Sequence, residues 1–213
     1  MEQKTAMIAG QIRPNQVNNP KIIEAFEVTP RDAFVPKALR EVAYVDEDLE
    51  IAPGRYLMEP MVLARLMELA AVGPDDVVLD IGCGTGFTTA LLSHLASVVV
   101  GLEENAKLAA RAGEILADLK IENGAVIEGK RTEGCSRQGP YQVILIAGAV
   151  EEIPGNILDQ LADGGRLVTV LIQGGVGRGH LVRRNGEVFS GHDHFDANLP
   201  LLPGFEKEKK FSF

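Results

Sequence analysis

Cysteine is scarce in this 213-residue chain, which carries two, Cys83 and Cys135. Two thiols make no disulfide framework, and nothing else in the sequence calls for an oxidising compartment. Long hydrophobic runs are absent. None reaches the roughly 18 residues of a membrane span, and residues 1–14 alternate polar and apolar types without the apolar centre of a secretion signal. A cytoplasmic protein without membrane contact is expected. Positive charge is in short supply: 21 Lys and Arg face 30 Asp and Glu, giving a net charge of -9 and a pI near 5.0. Phosphates demand a basic face and no basic run stands out, so no nucleic-acid partner is expected, nor an anionic lipid surface. Histidine is rare as well. His192-Asp193-His194 has no third ligand cluster near it, so it reads as a solvated loop and no metal site is expected.

Apolar residues are plentiful, at 46%, against 24% charged, enough for one sizeable core. Residues 20–39 have helix-like apolar positions, interrupted by Pro30 and Pro36. Residues 44–60, rich in Gly, Pro and acids, predict a loop with at most a short strand. Residues 61–71 predict a helix stopped by Gly73-Pro74. Short apolar runs then alternate with helix-forming stretches. Strands are expected at 77–81, 98–102, 125–127, 143–146 and 166–172, and helices at 88–95, 107–119 and 157–161, with a turn at Gly164-Gly165. That alternation implies an α/β fold, a doubly wound, mostly parallel sheet. Asn185-Gly186 between 181–184 and 188–190 signals a hairpin, an antiparallel C-terminal addition. Residues 198–213 show no period that assigns them an element.

Asp80-Ile81-Gly82-Cys83-Gly84-Thr85-Gly86 follows a strand and precedes a helix. Its glycines let the backbone turn sharply and approach a ligand closely. A dinucleotide loop spaces its glycines Gly-x-Gly-x-x-Gly and aims a helix N-terminus at a pyrophosphate. Here the third glycine comes one residue early, and Asp80 suits an ammonium-bearing ligand while repelling a pyrophosphate. Glu103 ends the next strand, 21 residues beyond Gly82. Open α/β sheets place a carboxylate there to accept hydrogen bonds from both ribose hydroxyls. Cys83 reads as small loop filler, because no basic neighbour is there to activate it. Arg131 and Arg137 read as solvated charges.

These residues resemble the class I S-adenosylmethionine-dependent methyltransferases. Thr29-Pro30-Arg31-Asp32-Ala33-Phe34-Val35-Pro36, Ala43-Tyr44-Val45-Asp46, Gly54 through Pro60, Glu151-Glu152-Ile153-Pro154 and Gln160 through Val168 narrow the resemblance to the protein-L-isoaspartate O-methyltransferases, over roughly residues 20–172. The resemblance implies a Rossmann-like fold and S-adenosyl-L-methionine as cofactor, leaving as S-adenosyl-L-homocysteine. It implies methylation of isoaspartyl carboxylates in damaged proteins. It carries cofactor contacts onto Leu57, Met58, Glu59, Asp80, Gly82, Cys83, Gly84, Thr85, Gly86, Glu103, Glu104, Gly129, Lys130 and Ala147. Residues 1–60 would pack on the core and cover the cofactor, and residues 61–213 would form the methyltransferase domain, in one compact unit.

Three departures stand out. The family's usual Gly-Gln-Thr-Ile-Ser-Gln-Pro is Gly54-Arg55-Tyr56-Leu57-Met58-Glu59-Pro60, so Met58 takes the place of the functional serine and no catalytic side chain is assigned. The usual Gly-Asp-Gly is Gly129-Lys130-Arg131, and the usual Phe-Asp is Tyr141-Gln142. A thioether cannot orient a carboxylate by hydrogen bonding, so slow isoaspartyl turnover is expected, accelerated by Met58→Ser. Methylation of a different acceptor, or cofactor binding without turnover, are the alternatives.

Overall fold

The computed structural model describes residues 2–207. Of the stretch 198–213, residues 198–207 are therefore described and the rest lies outside the described residues. Helix α1 (Glu2–Met7) runs into a π-helical turn, and α2 (Pro20–Val28) follows. Pro20 occupies the first helical position, where its missing N–H costs nothing, and the Asn19 side chain accepts from the Lys21 N–H at 3.0 Å. Beyond Val28 the prolines permit only 3-10 turns at Arg31–Phe34 and Lys37–Val42. Where the sequence suggested little more than a loop, a hairpin forms from β1 (Leu49–Ala52) and β2 (Arg55–Leu57), turning through Gly54.

Helix α3 (Pro60–Ala70) then leads to β3 (Val77–Ile81), α4 (Phe87–Ser93), β4 (Val98–Glu103), α5 (Ala106–Asp118), β5 (Gly124–Glu128) and β6 (Tyr141–Val150). After them come α6 (Gly155–Leu158), β7 (Leu161–Gln173), β8 (Val176–Asn185) and β9 (Val188–Asp196). The expected turn at Gly164-Gly165 is absorbed as an irregularity within β7, between the pairs Tyr141↔Leu161 and Val143↔Arg166. The expected hairpin is present but longer, and it carries His192-Asp193-His194 on a strand, not a loop. His192 and His194 are exposed there, and Asp193 meets His180 Nδ1 at 2.6 Å. Among the described residues no group of His, Cys, Asp or Glu is arranged to hold a metal.

One seven-stranded sheet runs β5-β4-β3-β6-β7-β8-β9, parallel up to β7 and antiparallel beyond it. Its strands bury alternate residues on two faces. Val78, Val99, Val143, Leu145, Val168 and Val170 join the core beneath α2 to α5, while Leu79, Ile81, Leu102, Ile144, Ile146 and Leu167 join the core shared with α6. Helix α4 is buried along nearly its whole length, because the N-terminal segment covers its outer side. Phe26 and Phe34 lie edge-on to Phe87, with ring centroids 6.0 and 5.3 Å away. Each such phenylalanine contributes roughly 1.5–3 kcal/mol on burial, which fixes residues 20–36 to the body. Among the described residues no helix is long and apolar enough to cross a membrane.

The chain order reverses beside β3, whose neighbours β4 and β6 lead away in opposite directions. Ligands of open α/β sheets bind in the crevice at the carboxyl ends of the strands at such a point. That places the glycine turn, Glu103 and residues 147–148 around one crevice.

Candidate functional site

Strand β3 delivers Asp80, which has no exposed surface. Its Oδ2 accepts from Thr89 Oγ1 at 2.7 Å, and its Oδ1 finds no partner among the described residues. Burial pushes this carboxyl up to about 7. The Thr89 hydrogen bond opposes the rise and the nearby Glu103 adds to it. The turn that follows carries positive φ at Gly82, Gly84 and Gly86. Gly86 opens α4 where a Cβ would stand 3.1 Å from Ala112 Cβ, so this glycine lets α4 and α5 pack closely. Thr85 is turned away from the crevice, with its hydroxyl donating to the Phe34 carbonyl at 2.6 Å. The Cys83 thiol is buried, and burial, with Asp80 and Glu103 beside it, pushes its pKa well up, as befits filler.

Glu103 is fully buried and its carboxylate is saturated by the chain itself. Oε2 accepts from Gly84 N–H at 2.9 Å and from Arg55 Nη2 at 2.8 Å. Oε1 accepts from the N–H groups of Glu104 and Asn105, both at 3.0 Å, and from Arg131 Nη1 at 3.2 Å. Burial alone would raise this acid, but the Arg55 charge and the N–H donors more than reverse it and hold it below the ordinary range. Arg55 also donates to the Gly82 carbonyl at 2.8 Å, and Arg131 reaches Glu104 at 3.1 Å. Arg131 is thus buried and paired, not the solvated charge the sequence suggested.

The crevice is filled as well as neutralised. Residues 197–207 leave β9 and cross the end of β6. Leu202 N–H donates to the Ala149 carbonyl at 2.8 Å, Ala149 N–H to Pro200, and Glu151 N–H to Phe205 at 3.0 Å. A parallel bridge pairs Ala149 with Leu201. Leu202 is 2% exposed and wedges between two glycines. A Cβ on Gly82 would lie 3.0 Å from Leu202 Cδ2, and one on Gly148 would lie 3.0 Å from its Cβ. The space left among Arg55, Tyr56, Met58, Ala147, Gly148 and Leu202 is about 10 Å³. Small-molecule sites need roughly 300–1,000 Å³. The acceptors Asp80 and Glu103 beside the glycine turn are groups that would hold a nucleoside with an ammonium group, but S-adenosylmethionine does not fit the crevice as it is folded here, with Arg55 on Glu103 and Leu202 against Gly82. A cavity of about 460 Å³ is lined by Phe34, Ile51, Thr85, Leu108 and Arg111, and neither it nor the small space beside Leu202 is lined by Asp80 or Glu103, which are buried beneath Arg55 and Leu202.

The other residues expected at the site divide. Leu57 and Met58 are buried beside the crevice, and Ala147 lines it. Gly129 donates its N–H to the Glu103 carbonyl at 3.1 Å. Glu104 is half-exposed, and Lys130 is exposed and paired with Glu133 at 2.9 Å. Glu59 turns to a separate cluster with Asp48, Asp46 and Arg31. Burial, followed by Asp48 and Asp46, pushes its carboxyl up to about 7. Residues 55–58 and residues 199–202 lie over the crevice. Arg55 and Leu202 escaped the sequence reading. One signal existed: two motif departures, at 55 and 131, each put a cation where the glutamate pair Glu103-Glu104 needed one.

Comparison with known proteins agrees with this architecture. The family model described as Protein-L-isoaspartate(D-aspartate) O-methyltransferase matches residues 2–190. A protein-L-isoaspartate O-methyltransferase of Koribacter versatilis is 39% identical over 165 residues, covering 78% of this chain and 74% of that protein. One from Ectopseudomonas mendocina is 39% identical over 191 residues, covering 88% of this chain and 90% of that protein. Among solved structures, a protein-L-isoaspartate O-methyltransferase superposes with a TM-score of 0.82 at 24% identity, covering 95% of this chain, which spans 65% of its length. A Plasmodium falciparum beta-aspartate methyltransferase in complex with S-adenosyl-L-homocysteine gives 0.79 at 17% identity, covering 94% of this chain and 97% of that one. At those identities the structures speak to the fold, and the match of sequence and family model decides the rest: this chain belongs to the protein-L-isoaspartate(D-aspartate) O-methyltransferase family.

Proposed function

We propose that this chain is an S-adenosylmethionine-dependent O-methyltransferase acting on the carboxylates of isoaspartyl residues in proteins, as its relatives are named. The observation that carries this reading is the family match across residues 2–190, with Asp80, the glycine turn and Glu103 standing in order at the strand ends. The cofactor supplies an electrophilic methyl group on a sulfonium. A carboxylate acceptor is already ionised at neutral pH, so the chain needs no general base. Its tasks are to position the acceptor and to exclude water. In the open crevice, Glu103 would receive the ribose hydroxyls, Asp80 the ammonium group, and residues 57–58 would border the transferred methyl. Residues 1–60 and the remainder act as one unit in this reading, and the free thiols of Cys83 and Cys135 suit a cytoplasmic location. The test is methyl-ester formation on an isoaspartyl peptide with labelled, saturating S-adenosylmethionine. No base-labile methyl ester from a folded chain would sink the proposal.

Met58 sets the expected rate. It is 5% exposed and offers no hydroxyl to hold an acceptor carboxylate. A hydrogen bond to a charged group contributes about 1.5–3 kcal/mol, so Met58→Ser is expected to raise isoaspartyl turnover at saturating cofactor by roughly 10- to 150-fold. A natural chain at least as fast as Met58→Ser would show the hydroxyl to be dispensable. The filled crevice favours one second reading, a homologue that keeps the family scaffold without turnover.

A further inference from the structure

We propose that residues 197–207 and Arg55 together close the nucleoside crevice from within, so that S-adenosylmethionine enters only after both have been displaced. The proposal rests on the cofactor reading above and adds its regulation.

Three observations converge on one place. The first is charge: the Arg55 guanidinium, 2.8 Å from Glu103 Oε2, stands where ribose hydroxyls would donate to that carboxylate. It is 5% exposed and also bonded to the Gly82 carbonyl, the backbone of the glycine turn itself. The second is volume: Leu202 fills the space in front of Gly82 and Gly148, the two glycines whose missing side chains leave room at the switch point. The third is backbone. The segment is tied along residues 149–151 by the Leu202, Ala149 and Glu151 N–H groups, and Lys207 N–H donates to Glu151 Oε2 at 2.7 Å.

One residue couples the two halves of the closure. Arg131 holds Glu103 Oε1 with Nη1, while its Nη2 donates to the Pro203 carbonyl at 3.1 Å. Pulling the segment away therefore loosens the arginine pair on Glu103, and a ligand on Glu103 loosens the segment. Closure by Leu199, Leu202 and Phe205 is apolar burial, all three being under 9% exposed. Closure by Arg55 is a buried ion pair; once it is displaced, Glu103 keeps Arg131 and three N–H donors, and the incoming ribose hydroxyls supply the hydrogen bonds that Arg55 gave up. A ligand that must first open a closed majority state binds more weakly by the fraction of molecules already open.

Calorimetry with S-adenosyl-L-homocysteine on the full chain, on Arg55→Gln, on Leu202→Gly and on their combination tests this. Each single change is expected to tighten binding about 10-fold and the pair about 100-fold or more. Arg55→Gln leaves Glu103 with Arg131 and three N–H donors, so the fold survives. In the full chain, hydrogen exchange supplies a readout that needs no variant. Saturating S-adenosyl-L-homocysteine should speed exchange at the Leu202 and Glu151 amides and leave those of β3 unchanged. Equal affinity in all four proteins, or ligand binding with Leu202 still protected, overturns the closure while leaving the methyltransferase reading standing. No binding by any of the four, each folded by its thermal melt, overturns closure and cofactor reading together.

Discussion

Glu103→Ala is expected to cost about 3–5 kcal/mol of folding stability, a larger effect than any loss of ligand affinity. Breaking a buried ion pair by removing one partner leaves the other charge buried and uncompensated, which destabilises by roughly that amount. Here one carboxylate serves two arginines, Arg55 and Arg131, both under 9% exposed. Arg131 keeps Glu104 as a partner, whereas the Nη2 of Arg55 keeps only the Gly82 carbonyl. In a chain of this length each kcal/mol moves the melting midpoint by about 2–4 °C, so a fall of roughly 6–20 °C should appear in a thermal melt at neutral pH. Glu103→Gln keeps an acceptor and the side-chain shape and should fall less. A double variant, Glu103→Leu with Arg55→Met, removes the charges of this pair together and should recover part of the loss, the remainder being the Gly84, Glu104 and Asn105 N–H groups and the Arg131 Nη1 left without the carboxylate. A Glu103→Ala midpoint within about 2 °C of the natural chain would mean that the pair contributes little.

That prediction differs from what the sequence alone supports. From the strand-end position of Glu103, a nucleoside contact follows, and its removal would weaken binding by roughly 10- to 150-fold. The residue was legible because its position is set locally, by a short apolar strand and a glycine turn at fixed spacing. The same local logic exposed β3 to β7, α4 and α5 between them and the hairpin at Asn185-Gly186, whereas the helix expected at 157–161 is the short α6, Gly155–Leu158, and Leu161 already belongs to β7. What closes the crevice was not legible for the opposite reason. Arg55 is 48 residues from Glu103, and Arg131 is 72 residues from Pro203. Nothing in a window of periodicity links them. Residues 197–207 form neither helix nor sheet strand; Ala197 bonds to Gly177 in β8, and Pro200, Leu202 and Phe205 bond to residues 149–151 at the end of β6. The hairpin at 49–57 hid in a stretch rich in turn formers, where Gly54 marks the turn and the strands on either side are three and four residues long. Local signals therefore gave the scaffold and the acid; long-range pairing decided what that acid holds.

Asp80 makes the second large prediction, and its sign is the reverse of the usual carboxylate. Its folded pKa is raised from an ordinary 3.8 to about 7, chiefly by burial, in the face of the Thr89 hydrogen bond. Between those values the folded chain binds a proton that the unfolded chain has released, so stability falls as pH climbs. The stabilisation is complete below about 3.8, and above about 7 the decline is over. Each pH unit in between costs about 1.4 kcal/mol for one such group, so Asp80 should take a few kcal/mol from the native state by pH 8. Glu103 works oppositely at the acid end, because its carboxyl is held below 4.5 and its contribution disappears as pH drops through that lowered value. Stability should therefore peak in mildly acid solution. Asp80→Asn keeps an oxygen to accept the Thr89 hydroxyl and carries no charge at any pH. It should raise the stability measured by urea unfolding at pH 8 by about 2–4 kcal/mol and make the decline between pH 4 and 7 shallower, the slope that remains belonging to Glu59, whose carboxyl is also raised to about 7. The acid limb set by Glu103 should survive the change. An Asp80→Asn chain that keeps the natural slope between pH 4 and 7 would place the titrating group elsewhere, and one less stable at pH 8 would show the buried carboxylate to be held as an anion.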